Sequence, residues 1–330
     1  MKALVYDGPE VLTFRDMPDP DVPKGYHLVK IMSSGICGSD MHAYLGHDER
    51  RPAPLILGHE AAGVIVGGVR DGECVTINPL NANPNSKATR DGRDNLCPDR
   101  RIISMPPREG AFAEYVAIPD ANLITVPDGF DLDAASLAEP VACGWHTVRL
   151  CRENLGQDGG NTALIIGGGP IGVGAALSAV AMGFDDVKIA EPNAIRQAYL
   201  RDACGLTVIS PDALNDADQY DMVVDGVGYE ATRATASAHT RPGGVIGHIG
   251  LGSSSGGLDI RRMTLQEITF IGTYTYTAQD FRDCAQAMFD GRLGDLTWTE
   301  ARPLEDGHQA FEDIRAGRVA VPKIILKPNG

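Results

Sequence analysis

The feature that most constrains the fold is a glycine-rich turn in the middle of the chain. Gly167, Gly169 and Gly172 form the pattern G-x-G-x-x-G between an apolar strand, 163–166, and a helix of small residues, 171–182. In such a turn the first glycine permits a sharp bend, the second lets the backbone approach a pyrophosphate, and the third lets the helix pack closely on the strand. The pattern therefore predicts a dinucleotide site. A glycine-rich turn in another doubly wound protein is the alternative.

The segments after this turn predict a parallel sheet. Further apolar strands are expected at 187–190, 222–225 and 245–249, each separated from the next by a helical pattern. Alternating strands and helices are typical of a doubly wound α/β fold. We therefore predict a Rossmann-type NAD-binding domain over residues 146–275.

The strand after the turn ends in a residue that distinguishes the two nicotinamide dinucleotides. Glu191 stands about 20 residues beyond the turn, where a carboxylate accepts hydrogen bonds from the adenosine ribose hydroxyls. Its charge would repel the 2'-phosphate of NADP, so NAD is favoured. Arg196 is expected either to line the adenine site or to be a solvated helix residue. The predicted cofactor-binding residues are Gly167, Gly169, Pro170, Ile171, Gly172, Glu191 and Arg196.

The first half of the chain has a different pattern of glycine, proline and apolar residues. Glycine and proline break residues 1–150 into short segments rich in Val, Ile and Tyr, among them 2–6 and 27–32. Such segments predict a mostly antiparallel, barrel-like domain, which we place at residues 1–145. The tail, 276–330, is too short for a domain of its own and is expected to return to the first domain. Its predicted elements are helices at 278–290 and 307–316 and a strand at 323–326.

Charge and cysteine content narrow the class of partner. The formal net charge is −15 and the isoelectric point is near 4.9, which disfavours binding to nucleic acid or an anionic membrane. No apolar run approaches the roughly 20 residues of a membrane span, and no secretion signal is recognised. The seven scattered cysteines favour reduced thiols in the cytoplasm. We expect small molecules or copies of the same chain as partners.

Three side chains of the first domain suit a metal ion. Cys37 lies in SSGICGSDMHAY, and His59 and Glu60 lie in LILGHEAAG, both of which are glycine-rich turns beside strands. Zinc accepts a thiolate, an imidazole and a carboxylate, and a catalytic zinc keeps one position open. Taken singly, each residue is ordinary, because a buried cysteine is usually a packing residue and a histidine is usually a hydrogen-bonded polar group.

Several segments of the chain occur together in a fixed order. They are C-G-S-D-x-H, G-H-E, SLAEPVACGWH, GGGPIG and VPKIILKP. Over essentially the whole chain they resemble the medium-chain zinc-dependent alcohol dehydrogenase family, and the loop NLCPDRRIISMPPREGAFAEY is most similar to its sorbitol and polyol dehydrogenase branch. The resemblance implies a GroES-like, mostly antiparallel β-barrel catalytic domain and a Rossmann coenzyme domain.

The resemblance also implies the metal ligands. Zinc would be held by Cys37 and His59, with Glu60 and Glu139 as carboxylate ligands or as holders of the zinc-bound water, and hence as catalytic residues. Cys143 is the competing ligand, because alcohol dehydrogenases proper use two cysteines and one histidine. Glu139 is preferred because the polyol branch has glutamate at this position. Cys143 would then be a small core residue.

A proton path is implied by the same motif. Ser39, close to the metal, would pass the alcohol proton to His42, whose imidazole titrates near neutral pH. Asp40 would accept a hydrogen bond from His59 and fix its tautomer. A solvated surface histidine is the alternative interpretation of His42.

Two departures from the family pattern bear on the chemistry. Many members bind a second, structural zinc through four cysteines, whereas the polar loop 81–101 keeps only Cys97. One thiolate cannot fill a tetrahedral site, so one zinc per chain is predicted. Thr275 stands where sorbitol dehydrogenases place an arginine that is thought to bind substrate, which argues against sorbitol itself. Tyr276 is either a substrate contact or a packing residue.

The resemblance thus implies a zinc-dependent, NAD-linked oxidoreductase that interconverts a secondary alcohol and its ketone. The alcohol would be a polyol, a sugar alcohol or a cyclic polyol, and a threonine-type amino alcohol is the alternative. A metal-free quinone or enoyl reductase and a non-catalytic nucleotide-binding protein are disfavoured, because the metal ligands are retained. A homodimer or homotetramer is the implied assembly.

Overall fold

A computed structural model of the chain describes residues 1–156, 160–215 and 217–329. Its strands are β1 (Lys2–Gly8), β2 (Val11–Asp16), β3 (Tyr26–Gly35), β4 (Leu55–Ile56), β5 (Glu60–Val66), β6 (Cys74–Ile77), β7 (Leu80–Asn81), β8 (Arg101–Ile102), β9 (Tyr115–Pro119), β10 (Leu123–Thr125), β11 (Thr162–Ile166), β12 (Asp186–Ala190), β13 (Val208–Ile209), β14 (Tyr220–Asp225), β15 (Thr240–His248), β16 (Thr269–Gly272), β17 (Thr299–Pro303) and β18 (Lys323–Lys327). Its α-helices are α1 (Gly38–Tyr44), α2 (Lys87–Arg90), α3 (Leu132–Ser136), α4 (Ala138–Asn154), α5 (Pro170–Ala181), α6 (Ala194–Asp202), α7 (Glu230–His239), α8 (Ile260–Leu265), α9 (Ala278–Phe289) and α10 (Gly307–Arg315). Within the described ranges, no helix has both the length and the apolar character that a membrane crossing requires.

The chain divides into two compact units. The first comprises Met1–Glu139, Phe281–Asp290 and Thr299–Gly330, and the second comprises Pro140–Asp280 and Gly291–Trp298. The predicted limits at residues 145 and 275 therefore lie six residues after and five residues before the observed ones. Both observed limits fall inside helices, α4 and α9, so no turn residue marks them in the sequence.

Part of the tail belongs to the second unit. Gly291–Trp298 was expected to return to the first domain with the rest of the tail, but it is grouped with the second unit. Two hydrogen bonds connect this segment to the second unit: Arg292 donates to the carbonyl of Ala181 at 3.1 Å, and the Tyr199 hydroxyl donates to the carbonyl of Thr297 at 3.2 Å.

The first unit is built on a mostly antiparallel sheet, as predicted. Its strand order is β10-β6-β5-β3-β18-β17, with β9 also paired to β3, and β17 and β18 run parallel to each other. In β3 and β9, alternate residues point into an apolar core, in which Val29, Ile31 and Val116 are buried. The alternation explains why these segments fold as strands with one buried face.

Three neighbouring strands of this sheet bring remote segments together. β3 ends at Gly35, which pairs with Glu60 at the start of β5, and on the other side of β3 Ile325 of β18 is also opposite Gly35. Glycine at position 35 leaves room for the Glu60 side chain, because a Cβ atom there would lie 2.2 Å from Glu60 Oε2. Cys37, Glu60 and Lys323 therefore approach one another at the ends of these strands.

The sheet of the second unit is parallel, as predicted. Its strand order is β13-β12-β11-β14-β15-β16, and Ile165 of β11 pairs with Ile189 of β12 and with Val224 of β14. Residues 163–166 are buried throughout, as expected of a strand covered on both faces. The strand order changes direction at β11, and doubly wound sheets bind ligands at the carboxyl ends of their strands beside such a point.

The polar segment 81–101 is more ordered than the predicted surface loop. It contains α2 and a 3-10 turn, Asp94–Leu96, and the side chain of Cys97 is fully buried. Short helices of this kind carry no apolar periodicity, so the sequence pattern does not indicate them.

Candidate metal centre and dinucleotide turn

The candidate metal ligands of the first unit converge. One ligand atom each from Cys37, His59 and Glu60 lies within 4.8 Å of the other two. Cys37 caps the N-terminus of α1, Glu60 begins β5, and His59 precedes it. His59 and Glu60 are buried and Cys37 is half-buried. These three donors can surround one zinc ion, because zinc binds them at about 2.0 to 2.3 Å.

The carboxylate of Glu60 is paired with a lysine that the sequence patterns had not indicated. Lys323 opens β18 and is 1% exposed, and its Nζ donates to Glu60 Oε1 at 2.7 Å and to the Ile36 carbonyl at 2.8 Å. Burial lowers the pKa of Lys323, but the charges of Glu60 and Cys37 outweigh burial and raise it. A charged lysine therefore neutralises Glu60. Its signal in the sequence is a lysine at the start of the apolar run KIILK.

Both oxygens of the Glu60 carboxylate lie within ion-pair distance of Lys323 Nζ, Oε1 at 2.7 Å and Oε2 at 2.6 Å. Oε2 is buried. Its contact with Lys323 Nζ is an ion pair, and the geometry of that contact is not that of a hydrogen bond. A buried acceptor of this kind beside a thiol and an imidazole is the donor set expected of a zinc site. The residues present therefore fit the metal that the motifs predict.

Asp40 lies beside the imidazole of His59. The distance from His59 Nδ1 to Asp40 Oδ1 is 3.5 Å, and Asp40 Oδ2 accepts from the backbone N–H of Cys37 at 3.0 Å. Burial lowers the pKa of His59, but the negative charges of Asp40 and Cys37 outweigh it and raise the pKa well above its usual value. Burial raises the pKa of Asp40, but the charges of His59 and Arg51, the contact with the His59 imidazole and the hydrogen bond from the Cys37 N–H together outweigh burial and lower it. His59 Nδ1 makes no hydrogen bond among the described atoms, so the orienting role of Asp40 stays a prediction.

Ser39 and His42 lie on α1, three residues apart and hence on one face of the helix. Ser39 is half-buried and lies two residues after Cys37, and His42 is exposed to solvent. Arg51, which is 3% exposed, fixes the start of this helix by donating to the Ser39 carbonyl at 2.8 Å. This arrangement is compatible with the predicted proton path.

Glu139 lies outside the group of three ligands among the described residues. It is the second residue of α4, it is 6% exposed, and its charge contributes to the raised pKa of Lys323. Cys143 lies one turn later on α4 and belongs to the second unit. The ligand role of Glu139 stays a prediction, with Cys143 as its competitor.

The dinucleotide turn of the second unit is formed by the main chain. Gly167 follows β11 with a φ of +100°, a value that favours glycine. A Cβ atom on Gly172 would lie 1.8 Å from the Gly167 carbonyl oxygen, so α5 packs on the turn only with glycine there. Gly169 caps α5, which begins with Pro170 and Ile171, and a Cβ atom on Gly169 would meet no atom within 4 Å. The space beside Gly169 is therefore open to a ligand.

Glu191 follows β12 and is held against this turn. Its Oε2 accepts from the backbone N–H of Gly168 at 2.7 Å, and its Oε1 accepts from that of Asn193 at 2.8 Å. Arg196 lies in the first turn of α6, which Asn193 caps. The carboxylate is thus beside the turn, where an adenosine ribose is expected, and the roles of Glu191 and Arg196 stay predictions.

Cys97 is surrounded by hydrogen-bond donors. Burial raises the pKa of its thiol, but hydrogen bonds from the Ser86 hydroxyl and from the backbone N–H groups of Asn83 and Asp99 lower it below the usual value. The hydroxyls of Ser86 and Thr89 are 2.9 Å apart and hydrogen-bonded. A hydrogen-bond network therefore stabilises the segment 81–101 around Cys97.

Tyr276 is 2% exposed in the second unit, a burial that is typical of a packing residue. Thr275 beside it has a φ of +45°, a left-handed value that is uncommon for threonine. A role for either side chain toward substrate stays a prediction.

Family models match both units. The model described as the alcohol dehydrogenase GroES-like domain matches residues 23–128, which include the three converging metal ligands. The model described as the zinc-binding dehydrogenase matches residues 170–290, which include the helix after the glycine turn and Glu191.

Curated relatives and solved structures match the chain over nearly its whole length. The chain is 30% identical to sorbitol dehydrogenase of Bacillus subtilis over 349 residues, which cover 100% of this chain and 98% of that one. It is 29% identical to L-galactonate-5-dehydrogenase of Escherichia coli over 342 residues, 98% of each chain. The solved structure of L-idonate 5-dehydrogenase from Escherichia coli has a TM-score of 0.87 at 23% identity and covers 99% of this chain and 97% of that one, which is a likeness of fold.

Proposed function

Because the chain belongs to the zinc-binding alcohol dehydrogenase family, we propose that it is an NAD-linked enzyme with one zinc ion per chain. Its reaction interconverts a polyhydroxylated secondary alcohol and its ketone. The predictions of the family, of its two kinds of domain and of a dehydrogenase are confirmed. The finer points, namely NAD, the single zinc and the substrate class, are the proposal.

The observation that carries the proposal is the convergence of Cys37, His59 and Glu60. These residues would hold the zinc, with Glu139 as a further carboxylate. When bound, zinc supplies the Lewis acidity that lowers the pKa of an alcohol, and the nicotinamide takes up the two electrons of the oxidation. Lys323 donates to Glu60 and Asp40 lies beside the imidazole of His59, so these two residues would orient the ligands.

The chain's own part in catalysis includes moving the alcohol proton. Ser39 would accept the proton of the substrate hydroxyl and pass it toward His42, which is exposed and can release it to water. An imidazole suits the last step because its ordinary pKa is close to neutral pH. Exclusion of water from the substrate would then depend on the buried setting of His59 and Glu60.

The charge of Glu191 supports NAD over NADP. Its carboxylate is fixed beside the pyrophosphate turn by two backbone N–H groups and would repel a 2'-phosphate. The surroundings of Cys97 support a single zinc. Its thiol accepts hydrogen bonds from a hydroxyl and from backbone N–H groups, and one thiol cannot supply the four ligands of a structural zinc. A homodimer or homotetramer stays a prediction.

The named activities of the relatives support a polyhydroxylated substrate. Sorbitol and L-galactonate each carry several hydroxyl groups, and both names describe dehydrogenases. Thr275 lacks the several N–H donors of the arginine that sorbitol dehydrogenases have at this position, so sorbitol itself remains disfavoured as the substrate.

The test is a substrate screen combined with metal analysis. Reduction of NAD and of NADP would be followed with polyols, sugar acids and threonine, before and after chelation and after zinc is restored. We expect activity with NAD and a polyol or sugar acid, lost on chelation and regained with zinc. Elemental analysis should give about one zinc per chain, removed by Cys37→Ser and unchanged by the control Cys97→Ser.

Each contrary result identifies the point that fails. Two zinc ions per chain, one of them lost in Cys97→Ser, would contradict the single site. Faster reduction of NADP would contradict the role of Glu191, and turnover of threonine alone would favour the amino alcohol alternative. Activity that survives complete zinc removal would overturn the metal-dependent reaction.

A further inference from the structure

The loop after β15 forms one wall of a cavity in the second unit. The cavity has a volume of about 420 Å³, and its lining residues include His248, Leu251, Ser253, Ser254 and Thr273. It lies at the carboxyl ends of β15 and β16, the edge at which doubly wound sheets bind ligands. Four of these five residues bring hydroxyl or imidazole groups, which give a mainly apolar wall several hydrogen-bonding points.

The strand order assigns this cavity to one half of a dinucleotide. The pyrophosphate turn follows β11, and Glu191, the expected ribose partner, follows β12 on one side of it. β14 and β15 lie on the other side, and two strand spacings of about 4.8 Å place β15 about 10 Å from β11. With the adenosine half beside Glu191, the nicotinamide half extends toward the end of β15.

The loop itself is poorly anchored by apolar contacts. Its sequence from 251 to 257 is LGSSSGG, and its one large apolar residue, Leu251, is 79% exposed. Its first part is tied by backbone hydrogen bonds, from Gly252 to the Val227 carbonyl at 3.1 Å and from Ser253 to the Gly228 carbonyl at 2.9 Å. Glycine and serine lose much conformational freedom on ordering, so the remainder needs another anchor.

Arg233 of α7 is that anchor. It is 5% exposed, and its guanidinium makes five hydrogen bonds to oxygen atoms, which matches its five N–H groups. Nε donates to the Gly256 carbonyl at 2.6 Å, and Nη1 donates to the carbonyls of Gly228 and Ser253 at 2.8 and 3.1 Å. Nη2 donates to the Ser253 hydroxyl at 2.8 Å and to the Ser255 carbonyl.

We infer that Arg233 is a positioning residue for the cofactor, which holds Ser253 to Gly256 in the shape of the nicotinamide-side wall. The inference rests on the proposed function, because it takes the ligand to be a nicotinamide dinucleotide. Without the guanidinium, the segment must be ordered when the ligand binds, and the cost of that ordering weakens binding. The adenosine half, bound beside Glu191 three strands away, does not depend on this segment.

The experiment compares two ligands that share the adenosine half. NADH contains both halves and AMP contains the adenosine half alone, and the Kd of each is measured for the wild type, Arg233→Met and Arg233→Lys. Arg233→Met should raise the Kd for NADH at least about tenfold and leave the Kd for AMP within about twofold. Arg233→Lys keeps the charge and up to three donors, so its Kd for NADH should be intermediate.

Arg262→Met is the matched control. Arg262 is half-buried and also donates to oxygen atoms, those of Ser237, Gln219 and Thr240, at a different place in the unit. We expect Arg262→Met to lower the melting temperature and to change the Kd for NADH and the Kd for AMP by the same factor. Hydrogen exchange of residues 250–258 should be faster in both Arg233 variants and should slow when NADH binds.

The outcomes separate this inference from the proposed function. A wild type that binds neither NADH nor NAD would overturn both. Wild-type binding of NADH with an unchanged Kd in folded Arg233→Met would overturn the positioning role alone, as would equal weakening of NADH and AMP. If Arg233→Met does not fold, an unchanged NADH Kd together with unchanged exchange in Arg233→Lys would overturn it.

Discussion

The metal group of the first unit and the dinucleotide turn of the second unit are assembled in opposite ways. The metal group consists of Cys37, His59 and Glu60, and strand pairing brings these residues together with Lys323, the partner of Glu60. The turn takes its shape from the main chain of one segment, 167–172, in which glycines leave space for packing and for ligand. The first therefore depends on charge and long-range pairing, and the second depends on local conformation. Substitutions should damage the two sites independently and by different physics.

The largest expected effect comes from removing a metal ligand. Cys37→Ser or His59→Ala should release zinc and lower kcat by at least about 10³-fold, because the Lewis acid contributes several kcal/mol to the barrier. The Kd for NADH should change by less than about twofold, as expected of sites that share no partners. Metal analysis, steady-state kinetics and a fluorescence titration measure the three quantities. Loss of NADH binding in a folded, zinc-free variant would show that the two sites are not independent.

The pair formed by Lys323 and Glu60 tests the charge balance of the metal group. Lys323→Met should destabilise the metal-free protein by about 3 to 5 kcal/mol, because it leaves Glu60 as a buried, unpaired charge. Glu60→Gln combined with Lys323→Met should recover most of the loss. Chemical denaturation of the metal-free proteins measures both.

Lys327 provides the control for this prediction. It lies on the same strand, its side chain is 25% exposed, and it pairs with Asp133 and Ser33. Lys327→Met should cost less than Lys323→Met, about 1 kcal/mol, because a partly exposed ion pair contributes less than a fully buried one. Equal losses for the two lysine variants would show that burial of the Glu60 pair is not what stabilises the first unit.

How far each site could be predicted follows from the same contrast. The turn at 167–172 and the strands around it were readable because glycine spacing and apolar runs are local patterns. Cys37, His59 and Glu60 were identified through motifs, and their convergence required the pairing of β3 with β5. The role of Lys323 could not be predicted from the sequence, because its partner Glu60 lies 263 residues away. A lysine is normally exposed unless it is paired. The boundary at Glu139 could not be located from local sequence patterns, because it lies inside α4, a continuous helix.

Two glycines of the turn separate packing from ligand approach. Gly172→Ala should destabilise the second unit, because its Cβ atom would lie 1.8 Å from the Gly167 carbonyl oxygen. Gly169→Ala meets no protein atom within 4 Å, so it should leave the melting temperature unchanged. It should nevertheless raise the Kd for NADH about tenfold, since the methyl group occupies space where the pyrophosphate approaches the backbone. Unchanged NADH binding in Gly169→Ala would place the pyrophosphate elsewhere.

The smallest expected effect concerns Glu191, where a side chain contributes to a site otherwise made by the main chain. Glu191→Gln keeps oxygen and nitrogen atoms near Gly168 and Asn193 but removes the charge that opposes a 2'-phosphate. The ratio of the Kd for NADPH to that for NADH should fall about tenfold, chiefly through tighter NADPH binding. Glu153→Gln, at an exposed carboxylate on α4, is the control and should leave the ratio unchanged. An unaltered ratio in Glu191→Gln would mean that backbone geometry alone, without this carboxylate, selects the dinucleotide.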